Sequence, residues 1–184
     1  MFRGTPGADV AAVYKTPTES GLNKMAVDSL AASVARQVGY EPGDDLALIV
    51  EKLGGTIRIQ DVWEIADASS GSIRIDSEDE FEIVLASHTG PTRDRFTIAH
   101  EIGHFVLHYL YPKSKGMNVE PIEAKRYGSG RVEWEANWFA AGFLMPKAPF
   151  IAAFEEHLGD INTIAEQFKV SVESVKIRVE FLGL

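Results

Sequence analysis

The pentapeptide His100-Glu101-Ile102-Gly103-His104, set in T-I-A-H-E-I-G-H-F-V-L-H (97–108), constrains this chain more than any other stretch. Two imidazoles four residues apart share a face only if the backbone is helical. Ile98, Ala99, Ile102, Phe105 and Val106 supply an apolar stripe, so the pattern predicts a helix from Asp94 to His108. On that helix His100 and His104 project side by side and can grip one ion at about 2.0–2.1 Å. Glu101, rotated by about 100° from His100, is poorly placed to ligate but well placed to reach a water beside the ion. That is the position of a general base in metal-assisted hydrolysis. Gly103 costs a helix about 1 kcal/mol against Ala, which implies that something packs close to it. The competing reading is an ordinary core helix with two packing histidines. A chance match need not fall on a helical period, and this one does.

Two histidines leave further ligand positions to fill. His108 is eight residues from His100, about 12 Å along a helix axis, so one ion cannot take all three. It reads as a packing or hydrogen-bonding histidine. The chain has no cysteine, which leaves carboxylates. R-V-E-W-E-A-N-W-F-A-A begins a helix over Arg131–Leu144. Glu133 and Asn137 share a face there, so Glu133 is the preferred ligand and Asn137 can hold a ligating histidine from behind. Glu135 points about 200° away from Glu133, so only one of the two can face the ion, and Glu135 stays as the alternative ligand. His88, Tyr127 and Arg93 are candidates to stabilise charge in a transition state.

Composition narrows the class. The chain has 184 residues, 45% of them hydrophobic, and a net charge of -9. That suits one globular domain with a small appendage and opposes nonspecific nucleic-acid binding. The first residues lack an apolar signal core, and no apolar run is long enough to span a bilayer, so a cytoplasmic protein without membrane partners is expected.

Along the chain, residues 1–22 read as a flexible arm. Helices are expected over 23–38 and 44–53, the second capped by Asp44 or Asp45. Runs at 56–61, 72–76 and 81–86 alternate with period two and predict a small, mainly antiparallel three-stranded sheet packed on helices. Residues 112–130 show no period and could serve as a flap, with substrate pairing along 81–86. Helices follow at 131–144 and 147–157. The tail reads as two short helices joined near Lys169-Val170, with Ser171 as N-cap. The fold class is therefore α+β, divided into an arm (1–22), a catalytic domain (23–146) and a C-terminal helix-turn-helix-like extension (147–184).

The two blocks R-F-T-I-A-H-E-I-G-H-F-V-L-H and E-W-E-A-N-W-F-A-A-G-F-L-M-P resemble the ImmA/IrrE family of zinc metallopeptidases. The resemblance implies a zincin-like core and one Zn2+ per chain on His100, His104 and Glu133, with Glu101 as base. It implies a substrate among helix-turn-helix repressors of the XRE type, or an antitoxin, as in toxin–antitoxin-like pairs. The function read here is a zinc endopeptidase that relieves repression. The alternative is a non-proteolytic interaction module of the same fold that sequesters a transcription factor or antitoxin. Direct DNA binding is disfavoured: Met145–Leu184 holds four basic against six acidic residues.

Overall fold

The computed structural model describes residues 13–61, 72–87, 89–125 and 130–184. Several helix boundaries have a local cause. Helix α1 (Lys24–Val38) starts where the Asn23 side chain accepts the Ala26 N–H and stops at Gly39, whose φ of 68° is left-handed. Asp45 caps α2 (Leu46–Lys52) by accepting the Ala47 N–H. Pro91 opens α3 (Pro91–His104), where its missing N–H removes no helical bond.

The helix that carries the histidines does not end at His104. It continues as a π-helical segment, Phe105–Leu110, and one more turn, α4 (Tyr111–Ser114). Tyr111 N–H reaches back to Val106 O across the wider turn. Pro112 follows at once; in a regular α ladder its ring would crowd the His108 carbonyl, and a widened turn relieves that.

The sheet differs from the expected one. It has four strands, β1 (Gly55–Gln60), β2 (Ser72–Ser77), β3 (Glu80–Ala86) and β4 (Ile122–Lys125), in the order β1-β3-β2-β4. β1 pairs parallel with β3, while β2 pairs antiparallel with both β3 and β4. The added strand comes from 112–130, where only four residues alternate, too few to show a period. The 81–86 strand is therefore interior, flanked on both sides, and cannot take an incoming peptide strand. Ile73, Ile75, Phe81, Ile83 and Leu85 bury one sheet face together with Ile98, Ile102 and Phe105. The Phe81 and Phe105 rings stack with centroids 4.3 Å apart.

Residues 13–22 also depart from expectation. They are not a loose arm: Lys15 N–H donates to Pro121 O at 2.9 Å and Lys15 O accepts Glu123 N–H at 2.9 Å, bridging the outer edge of β4. Tyr14 Oη bonds Asp76 on β2. Residues 1–12 lie outside the described residues.

Helix α5 (Arg131–Leu144) packs against α3 on one side and α1 on the other. α6 (Lys147–Glu156) and α7 (Ile161–Phe168) follow, and Ser171 caps α8 (Val172–Leu182) by accepting Ser174 N–H. α8 is tied to α1 by a buried ion pair between Arg178 and Asp28. A Cβ on Gly142 of α5 would come within 2.8 Å of Asp28 Oδ1, so that glycine makes room for the pair.

The pair sets a stability prediction. Arg178 is 2% exposed, and nothing among the described residues bonds its Nε and Nη2. Removing Asp28 alone leaves a buried guanidinium without its counter-charge, a change worth about 3–5 kcal/mol. Asp28→Ala is expected to lose about that much in urea unfolding, and Asp28→Leu combined with Arg178→Met to recover most of it.

Candidate metal centre

Helices α3 and α5 approach each other unusually closely, and the reason is Gly103. A Cβ there would meet Phe139 Cβ at 3.1 Å and the Ala136 Cα and carbonyl oxygen at 3.2 Å. With no side chain at 103 and a methyl at 136, the first turn of α5 comes beside the histidine face of α3. Glu133 thereby reaches both histidines: Oε2 lies 3.2 Å from His100 Nε2 and Oε1 lies 3.5 Å from His104 Nε2. The two Nε2 atoms are 3.1 Å apart.

These three separations fit a metal ion. Donors held tetrahedrally at 2.0–2.1 Å from a common centre sit about 3.3–3.4 Å from one another. His100, His104 and Glu133 are the group among the described residues whose donor atoms all converge, within 4.8 Å of one another. Such a set can bind a metal.

Tautomers argue the same way. Asn137 Oδ1 lies 2.9 Å from His100 Nδ1, so that nitrogen donates and Nε2 keeps its lone pair. His108 Nε2 lies 3.2 Å from the Glu135 carboxylate and must donate to it. Its Nδ1 is then an acceptor, and it sits 3.0 Å from His104 Nδ1, which therefore donates. His104 Nε2 is left bare as well. Two lone pairs and a carboxylate thus face one point, an arrangement that is repulsive without a cation between them.

The electrostatics follow. Burial opposes charge on His100, but the Glu133 hydrogen bond and the Glu101 and Glu133 carboxylates outweigh it and hold its pKa above the ordinary histidine value. Burial, then the neighbouring His100 and His108, push His104 well below that value. Burial would raise Glu135, yet hydrogen bonds from the Ser20 N–H, Arg131, the Ser20 hydroxyl and His108 hold it below the usual carboxylate range. The raised pKa means that a proton on His100 can stand in for the cation, so proton and metal compete.

Other expected site residues have plain positions. Glu101 is 1% exposed and close enough to His100 to favour its charged form. Asn137 backs His100. Glu135, the alternative ligand, is turned away from the donor group: it is fully buried against His108, and Arg131 Nε donates to it at 3.0 Å. The reason is helical: two residues along α5 is over half a turn. Arg93 sits in the first turn of α3, in a groove shared with Val170, Ser171 and Ser174 of the tail. It is seven residues, about 10 Å of helix axis, from His100. His88 and Tyr127 lie outside the described residues. Sequence reading missed the hydrogen bond from His104 through His108 to Glu135. Its only trace was the Arg131–Glu135 spacing, since nothing local ties His108 to α5.

A family model described as the IrrE N-terminal-like domain of peptidase family M78 matches residues 58–180. The chain belongs to this family. The match spans α3 and α5 and thus every donor of the site. No curated protein sequence matches the chain. Among solved structures it is similar to a Mycobacterium tuberculosis transcriptional regulator, with TM-score 0.56, 22% identity, and coverage of 83% of this chain and 46% of that one. That likeness is one of fold, and the chain spans less than half the length of that protein.

Two outcomes test the site. Gly103→Ala gains about 1 kcal/mol in helix propensity, but its methyl meets α5 backbone that cannot swing aside, and overpacking of that kind costs about 1–3 kcal/mol. A net loss of stability in urea unfolding is expected, together with weaker metal binding. Separately, metal affinity measured by chelator competition should fall as pH drops through the raised pKa of His100, because each metal bound there displaces a proton.

Proposed function

We propose that this chain is a zinc-dependent endopeptidase that cuts a regulatory protein, an XRE-type helix-turn-helix repressor in the first instance, and so relieves repression. His100, His104 and Glu133 hold one zinc ion. Zinc held there supplies Lewis acidity, polarising a scissile carbonyl and acidifying water. The chain's own residues do the rest. Asn137 and His108 keep the two imidazoles in the tautomer that offers Nε2. Glu101, a buried carboxylate beside the donor group, takes a proton from water as it attacks and passes it to the departing amine.

The observation that carries this reading is Glu101. A site built only to hold metal, or a surface built only to hold a partner, has no use for a carboxylate buried next to two histidines and a glutamate. Membership of a peptidase family supports it. No helix among the described residues is long and apolar enough to cross a membrane, which agrees with a site of action alongside a cytoplasmic repressor. The tail gives little to DNA: on α8 Arg178 is buried in its pair with Asp28, and Lys176 stands 3.9 Å from Glu173. A peptide substrate that adds a strand has the β1 edge available among the described strands, since residues around Lys15 bridge β4.

Glu101→Gln tests the proposal. It is expected to keep zinc and substrate binding and to lower cleavage of the repressor by about 10²–10⁴-fold, the weight of a general base. Cleavage at the wild-type rate would remove Glu101 from the mechanism. Partner binding without cleavage by the wild-type chain would favour the sequestering module. Glu133→Gln should abolish tight zinc binding and Glu135→Gln only weaken it; the reverse pattern would move the ligand.

A further inference from the structure

Residues 13–22 lie outside the span matched by the family model, yet they end against the support of the metal site. Ser20 N–H donates to Glu135 Oε2 at 2.7 Å. Arg131, whose Nε holds Glu135 Oε1, donates its Nη2 to Leu22 O at 2.6 Å. Ser20 Oγ in turn accepts Leu22 N–H at 3.2 Å, closing a tight turn on the backbone that presents Ser20. At its other end the segment is fastened to the sheet through the Lys15 bridge to β4 and the Tyr14–Asp76 bond.

We propose that this N-terminal strap is a positioning element of the metal centre: the Ser20 backbone N–H and Arg131 fix Glu135, and Glu135 through His108 fixes the His104 tautomer that presents Nε2. The inference rests on the metal-site reading above. Three hydrogen bonds reach Glu135, from Ser20 N–H, Arg131 and His108, the Ser20 hydroxyl adds to them, and the Glu135 side chain is 0% exposed. No solvent can replace a lost donor there. Ser20 N–H is the shortest of the three bonds and belongs to backbone, which cannot rotate away as a side chain can. It shares Oε2 with His108. Without it Oε2 loses its shortest bond, and the carboxylate, still tied at Oε1 by Arg131, is held less firmly against His108. His108 then loses the fixed acceptor that sets its own tautomer. His104 can carry its proton on Nε2, where it blocks a metal.

Ser20 and Arg131 are thus positioning residues, each three hydrogen bonds removed from His104. Outer partners of metal-binding histidines change affinity by about 10–100-fold when removed. A strap that served stability alone would shift unfolding without touching either His104 or the metal.

The full chain is titrated with zinc against a chromophoric chelator at fixed pH, as wild type, Ser20→Pro, Ser20→Ala and Arg131→Met. Ser20→Pro deletes the N–H, and Ser20→Ala keeps it. Nitrogen-15 NMR of the His104 ring in the metal-free chain reads the tautomer directly. Ser20→Pro and Arg131→Met are expected to weaken zinc binding by about tenfold or more and to turn the single Nδ1–H tautomer of His104 into a mixture, with Ser20→Ala, which loses the hydroxyl but keeps the N–H, affected less than Ser20→Pro. Arg131 has a side chain 37% exposed, so its truncation keeps the fold and decides the matter if proline disturbs the strap. Wild-type zinc affinity and an unchanged His104 ring in Arg131→Met would overturn the proposal. Absence of zinc binding by the wild type would overturn the proposed function instead, and the His104 signal would still judge the strap.

Discussion

The close approach of α3 and α5 at Gly103 is the constraint on which the site depends. His100 and His104 are fixed by helical periodicity, but a periodicity brings no third donor. Glu133 arrives because Ala136, one turn further on, lies against a glycine. The 3.1 Å between the two Nε2 atoms is internal to α3, but the 3.2 and 3.5 Å from Glu133 to them are set by how far apart two helix axes are. Metal geometry tolerates errors of only about 0.2 Å. A helix pair spaced by ordinary side chains, at 8–10 Å between axes, leaves a carboxylate of this length less room to adjust. Gly142 performs the same service on the other face of α5, where Asp28 and Ala31 of α1 crowd in. α5 is therefore a helix clamped by glycine contacts on both sides, and Glu133 on its first turn inherits that rigidity.

Orientation is set separately from distance. Each imidazole is held through its Nδ1, His100 by an amide oxygen and His104 by another imidazole. The two supports differ in kind. Asn137 is one bond deep and sits on α5 itself. The other runs through His108 to a buried carboxylate with charge-assisted donors, so the orientation of His104 depends on residues spread from Ser20 to Arg131. Along that second route burial pushes the His108 pKa down although Glu135 pulls it upward.

Legibility in the sequence followed the range of the interaction. The helix boundaries were readable because Asn23, Asp45, Ser171 and Gly39 act on neighbours within four residues. The donor candidates were readable because i,i+4 spacing is local and the two blocks carry a family pattern. Gly103 announced a close neighbour without saying which. What stayed hidden was tertiary. β4 is four residues long and is a strand only because β2 offers it an edge. The parallel pairing of β1 with β3 depends on a connection, not on residue alternation. The π-helical turns leave the apolar stripe nearly intact and so leave no mark beyond Pro112. The strap reads as Gly-, Pro- and Thr-rich coil, because its order comes from partners a hundred residues away.

That last point separates two layers of the site. The groups proposed to bind metal and react, His100, Glu101, His104 and Glu133, lie within thirty-four residues on two helices and inside the family match. The groups that aim them extend beyond it, to a backbone N–H at residue 20. A backbone donor has no residue identity, so no motif can record it, although the Ser20 hydroxyl both shapes the turn and adds a bond to Glu135. The chemistry of such a site is therefore written in side chains, and part of its geometry is written in where the chain happens to pass. Changes to the path of residues 13–22 reach His104 without altering any residue of the motif.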